Sequence, residues 1–332
     1  MIESVSIIFI AFSGFFLAAY LFHKKRRKHE PFICPLRANC SEVMQSNYSK
    51  FLGIPVEVLG LCYYAVLALV HGLVLMQESL RWLDVYLLIV SSIALLFSLY
   101  LTAIQIVALR KFCTWCLLSA SFCLAIFALS IVGSLEIVLP FLAGYQMSIL
   151  GLHLLVTGIG TGTATITTLF FYKFLKDGRL SEDETGVLST LFEFGWLSLC
   201  LLLISGSAFY LSFSEGLFSS SLWMLELIAV SVVIIISGFL TLRVMPRLVK
   251  ISSGQEHEHL AGELLRARKI VFTLGPMALL SWYVAFVFGS LSDRLPFSFQ
   301  QLLSTYVLLL LVAFLIGRMA YHRVVSRPEK II

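Results

Sequence analysis

Residues 109–123 read Leu109-Arg110-Lys111-Phe112-Cys113-Thr114-Trp115-Cys116-Leu117-Leu118-Ser119-Ala120-Ser121-Phe122-Cys123, a Cys-x-x-Cys pair set where one apolar run gives way to the next. If the following run, through Leu135, is a membrane helix, Cys113 lies at its N-terminus. There the free backbone N–H groups and the helix dipole favour a thiolate, and Arg110 and Lys111 add positive charge. A thiolate is the nucleophile of disulfide exchange, so a dithiol held at this place is poised to react. Two other readings compete: two buried core cysteines, or half of a zinc site. Zinc needs a second pair of ligands, and the other close pair, Cys34 and Cys40, lacks zinc-like spacing. Redox chemistry is therefore the reading adopted, with no metal site.

Around this stretch the chain is strongly apolar. Of its 332 residues 59% are hydrophobic and 13% charged, with a mean hydropathy of +0.94. Runs of about 20 apolar residues span a bilayer core. Nine fit that length: roughly 4–22, 53–76, 85–109, 112–135, 147–172, 187–213, 221–242, 270–291 and 297–321. None alternates as the strands of a membrane barrel do, so helices are required to satisfy the backbone. The first run lacks a basic leader and a small-residue cleavage site and is followed by KKRRKHE, so it is expected to stay as a spanning helix. The fold class expected is an all-α polytopic membrane protein, a four-helix redox bundle (1–140) followed by a five-helix membrane domain (147–332). Cys62, Cys123 and Cys200 lie inside apolar runs and read as core.

The loop after the first run carries Cys34 and Cys40, with five residues between them, close enough for a small disulfide loop. Ser41 to Lys50 has the mixed polarity of a short helix lying on the membrane face, and Gly53 and Pro55 set the entry to the second run. Counting crossings puts this loop and the junction holding Cys113 and Cys116 on the same face. Two dithiols within exchange distance form a relay, electrons entering one pair and leaving through the other.

Cys34-x5-Cys40-Ser41, then Phe51-Leu52-Gly53-Ile54-Pro55, then a third run with Gln105 leading into FCTWCLLSA, resembles the vitamin K epoxide reductase family over about residues 5–135, particularly its prokaryotic thiol-oxidising members. The resemblance implies a four-helix bundle enclosing a quinone (ubiquinone or menaquinone) beside the Cys-x-x-Cys. It further implies catalytic roles for Cys34, Cys40, Cys113 and Cys116: Cys34 meets a thioredoxin-like partner, Cys40 passes electrons to Cys113, and Cys116 faces the quinone. No thioredoxin-like segment follows in this chain, so the partner is expected to be a separate protein; no nucleic acid is expected. The rivals are a quinone-epoxide reductase using the same dithiol, and a redox-regulated transporter or scaffold.

The second half is poor in reactive groups, and its likeness to uncharacterised helical membrane domains carries no function. Gly158 and Gly162 have the small-residue spacing that lets membrane helices approach. His153 is an intramembrane ionisable residue, read as a hydrogen-bonded helix contact ahead of a haem or quinone ligand, since a bis-His site would have to recruit His71. Ser181 to Glu184 reads as a capping box. Glu256, His257, Glu258, His259 and Glu263 read as a solvated amphipathic segment in preference to a metal site.

Of the 24 lysines and arginines, all but Arg81 and Arg294 fall on the cysteine-bearing face. Within the first four runs, Lys24, Lys25, Arg26, Arg27, Lys28, Arg37, Lys50, Arg110 and Lys111 oppose Arg81 alone. The positive-inside rule then predicts an inner or plasma membrane protein with its cysteines on the cytoplasmic face, the periplasmic or extracellular face being the alternative. The basic face is also suited to anionic lipid headgroups.

Overall fold

The computed structural model describes residues 2–26, 34, 40–176, 181–212, 221–252, 260–290 and 297–325. Runs of Leu, Ile, Val and Phe without alternation can satisfy their backbone in lipid only internally, and they form helices throughout. Among the described residues nine helices are long and apolar enough to cross a membrane. The chain is an all-α polytopic membrane protein, and it divides into two compact units, one of Met1–Ile149 with Gly206–Ser212, the other of Leu150–Ser205 with Phe213–Ile332.

In the first unit, α1 (Ile2–Arg26) packs on α3 (Val56–Met76) and on α5 (Thr114–Gly144), and α5 on α4 (Leu83–Ala103). Ile7, Ala11, Tyr64, Leu67, Leu87, Cys123 and Ile126 make the core between them. Gly14 is required there, because a Cβ would fall within the ring of Tyr64. The Tyr64 hydroxyl lies 3.0 Å from the Ser119 carbonyl and 3.7 Å from the Cys123 sulfur. Cys123 is buried and Cys200 half-buried, but Cys62 is exposed, contrary to its reading as core. It stands two residues before Tyr64, and positions two apart lie on different faces of a helix, so the stripe of Tyr64, Leu67, His71 and Val74 turns Cys62 outward.

Between α1 and α3 the loop holds a five-residue helix, α2 (Cys40–Met44), and a minimal hairpin, β1 (Lys50–Phe51) with β2 (Ile54–Pro55), paired Phe51 to Ile54. Its turn places Leu52 at φ 50 and Gly53 at φ 81, the two positive angles of a tight hairpin turn. The short helix expected over 41–50 is thus shorter, and ends in a turn and strand. Helix α5 runs past Leu135 through Pro140, and α6 (Gln146–Lys176) follows directly, so the interval between the two expected domains is helical except at Tyr145.

The second unit takes in most of α6 and α7 (Glu182–Leu211), together with α8 (Ser221–Phe239), α9 (Met245–Ser252), α10 (Leu260–Ser290) and α11 (Phe299–Val325). The close helix approach in α6 is made by Gly160, where a Cβ would strike the Trp282 ring. Gly162 has open space, and Gly158 only an ordinary contact with Phe286, so the small-residue spacing expected at 158 and 162 is displaced by two residues. At Gly317 a Cβ would overlap the Phe272 carbonyl, bringing α11 against α10. The capping box forms as expected: Ser181 N donates to Glu184 at 2.9 Å, and Glu184 N to the Ser181 hydroxyl at 3.2 Å. Between α8 and α9 the turn Leu240–Val244 widens to a π-helix just ahead of Pro246, a residue without the N–H a regular helix needs. Glu256, His257, Glu258 and His259 lie outside the described residues; among the described residues no cluster suited to a metal occurs.

Candidate functional site

The turn before the Cys-x-x-Cys is built around one glutamine. The last turn of α4, Ile104–Leu109, is a π-helix, and Arg110 closes it in the left-handed region at φ 53. The N–H groups of Arg110 and Lys111 both reach the Gln105 main-chain carbonyl, the latter at 3.0 Å. Its side-chain Oε1 accepts from the Cys113 N–H at 3.1 Å. Gln105 is buried, so both of its carbonyls serve orphan donors that burial would otherwise leave costly. The sequence marked Gln105 only as a landmark; its holding role was not foreseen.

Cys113 caps α5, as the sequence suggested. Its sulfur accepts from the Cys116 N–H at 3.3 Å, a hydrogen bond that would favour a thiolate there. Cys116 sits in the first turn of the same helix, within reach of the positive end of the helix dipole.

The other pair reaches this point because α2 lies on the end of the bundle. Met44 turns inward onto Leu17, Leu21 and Trp115, while Cys40 and Val43 pack with Cys113. Cys34 and Cys116 border the same cluster with Leu109 and Trp115. Both pairs are disulfide-bonded, Cys34 to Cys40 with Cα atoms 5.9 Å apart and Cys113 to Cys116 at 5.3 Å. The inner sulfurs, Cys40 and Cys113, are 1% and 0% exposed. The outer ones, Cys34 and Cys116, are half-buried. The structure therefore brings all four predicted residues together, with the buried member of one pair packed on the buried member of the other.

Charges around the cluster are paired more than the sequence suggested. Lys111, expected to add positive charge beside Cys113, is paired with Glu42. Lys25 holds Glu57 at 2.8 and 3.1 Å and approaches the Ser49 carbonyl at 3.5 Å. Glu57 stands in the first turn of α3, where the dipole also favours a carboxylate. Burial pushes the Tyr48 phenol in the same loop up to about 12, keeping it neutral. Trp115, which borders the cluster, lies 5.7 Å from the Tyr20 ring. Aromatic and apolar walls beside a half-exposed sulfur fit an uncharged ring compound better than a charged one.

Residues 5–131 match the vitamin K epoxide reductase family. That family is one of quinone-linked redox proteins, and the matched segment takes in α1 to α4, the loop pair and the first half of α5 with the Cys-x-x-Cys. No solved structure matches the chain.

In the second unit His153 is hydrogen-bonded, to Ser205 at 3.0 Å and to Glu226 at 2.9 Å. His71, the residue a bis-His haem would have required, lies in the first unit. Sequence reasoning missed Glu226; the available signal was a single carboxylate inside SLWMLELIAV.

Proposed function

We propose that the chain is a membrane thiol oxidase that carries electrons from a thioredoxin-like partner, supplied as a separate chain, through Cys34/Cys40 and Cys113/Cys116 to a membrane quinone. Residues 1–140 form the redox domain in this reading, and 147–332 a five-helix membrane domain to which the reading assigns no role. The observation that carries it is the single cluster in which Cys40 and Cys113 meet buried while Cys34 and Cys116 remain half-buried.

The steps balance as thiol–disulfide exchange. A partner thiolate attacks Cys34, breaking the Cys34–Cys40 bond and leaving a Cys40 thiolate; the partner's second thiol then forms the partner disulfide and releases Cys34. Cys40 attacks Cys113 and expels Cys116 as a thiolate, which the α5 dipole favours. Cys34 resolves the Cys40–Cys113 bond, restoring Cys34–Cys40 and leaving Cys113 and Cys116 as a dithiol. Trp115 and Tyr20 would hold a quinone beside Cys116, and it would supply the acceptor for the two electrons and two protons released as Cys113–Cys116 re-forms.

In the purified protein, Cys116→Ala abolishes quinone reduction with every donor. Cys34→Ala blocks turnover with a protein dithiol but spares reduction driven by a small dithiol. Equal activity of the two variants with both donors would remove the relay. Reduction of a quinone epoxide is the rival the family match favours; an assay offering both acceptors to the reduced protein separates them.

The cysteine face is assigned to the cytoplasm by its lysine and arginine excess. Pairing of Lys25 and Lys111 with glutamates leaves that assignment unchanged, because acidic residues contribute little to the rule. Cytoplasmic disulfide formation of this kind is expected where intracellular disulfides are common.

A further inference from the structure

The His153–Glu226 contact belongs to the second unit and owes nothing to the cysteines. His153 lies seven residues into α6 and Glu226 five into α8, about 10 and 8 Å along their helices at 1.5 Å per residue. Both are largely buried, at 8% and 13% side-chain exposure. Their surroundings are apolar, with Leu202, Leu225 and Val156 in the adjoining core. Gly289 on α10 closes the remaining side, since a Cβ there would stand 3.1 Å from Glu226 Oε1.

Both ring nitrogens of His153 have a partner, and the partners limit where its protons can sit. The Ser205 hydroxyl has one proton and two acceptors within reach, the Leu202 carbonyl at 3.2 Å and His153 Nδ1 at 3.0 Å; with the proton spent on the carbonyl, as in other helical serines of this chain, Nδ1 is the donor. Nε2 then faces Glu226 at 2.9 Å, a contact that needs one further proton. That proton sits on the imidazole, giving an imidazolium–carboxylate pair, or on the carboxyl, giving a neutral pair. Without it a carboxylate confronts a nitrogen lone pair in an apolar interior, a state that costs several kcal/mol. Among the described residues His153 is the ion-pair partner of Glu226.

The other titratable groups on the packed helices do not replace it. Tyr283 and Tyr306 are hydrogen-bonded to Thr165 at 3.2 Å and Ser281 at 2.8 Å, and Cys200 and Tyr210 lie more than a turn before and after Ser205 on α7. Lys173, Glu193, Arg243, Arg268 and Lys269 are about three turns or more along their helices. The Ser, His and Glu are also the residue types of a hydrolytic triad. Ser205, however, lies within α7 with its neighbouring N–H groups spent on the helix, so none of them can serve as an oxyanion donor.

We propose that His153 and Glu226 form a proton-binding site buried among the helices of the second unit, with Ser205 fixing the imidazole tautomer. The ligand is one exchangeable proton, and taking it up or releasing it changes the charge of the pair by one unit.

The test is 15N spectroscopy of the full-length protein, labelled at histidine and held in lipid nanodiscs, across a pH series. The His153 signals are identified by their loss in His153→Gln. Nδ1 is expected to stay protonated throughout, while Nε2 changes in one step that is abolished or displaced in Glu226→Gln. In Ser205→Ala the Nδ1–H preference is lost. A fixed Nε2–H tautomer with bare Nδ1 overturns the proposal, as does a step that Glu226→Gln leaves unmoved. Should His153→Gln fail to fold, the displacement caused by Ser205→Ala identifies the same signals, and the Glu226→Gln comparison decides.

Discussion

At the residue scale, the placement of the Cys113–Cys116 pair depends on Gln105, whose side chain accepts from the Cys113 N–H. Gln105→Leu keeps the bulk and removes the acceptor of the Cys113 N–H, at a cost of about 1–3 kcal/mol for a buried donor left unpaired. Thermal unfolding should show the loss, and dithiol-driven quinone reduction should slow because the cap no longer sets Cys113 against Cys40. Gly160→Ala is expected to destabilise by about 1–3 kcal/mol through overpacking against Trp282, whereas Gly162→Ala should leave the unfolding midpoint unchanged; the reverse order would restore the spacing read from sequence. The residues whose chemistry is intrinsic were legible: four cysteines, the capping pair Ser181 and Glu184, and His153 as a bonded helix contact. Gln105, Gly160 and Glu226 were not, because what each does is set by a partner distant in the chain.

At the element scale, the nine membrane-length helices among the described residues were legible because continuous apolar runs satisfy their backbone in lipid only as helices. Their ends were less so: α5 continues nine residues past Leu135 to Gly144, and Pro140, which suggests a stop, is accommodated within it. The hairpin of β1 and β2 was hidden because two-residue strands have no periodicity to read, and Leu52 is an unusual occupant of a left-handed position. Leu52→Gly is therefore expected to raise the unfolding midpoint, relieving strain of about 1–2 kcal/mol, while Gly53→Val should lower it. A change in the opposite direction for either variant would mean the turn is not held as described. Placement of α2 against the bundle end is the element-level fact on which the meeting of Cys40 and Cys113 depends, and nothing in CSEVM announces it.

At the scale of the whole molecule, composition alone gave a membrane protein, and the two compact units divide it near residue 149. The sidedness proposed above is open to direct measurement. After mild reduction of intact cells, a membrane-impermeant maleimide should leave Cys34 unlabelled until the membrane is opened; rapid labelling from outside would reverse the orientation. Sidedness and electron route are separate questions, and the route is the central one. It is tested most directly in Cys34→Ala/Cys116→Ala, which leaves Cys40 and Cys113 as the unpaired members of the cluster. On mild oxidation the relay predicts a Cys40–Cys113 disulfide, recovered as a linked peptide pair by mass spectrometry. Oxidation that leaves both thiols free, or links either to Cys62, Cys123 or Cys200 instead, would contradict it.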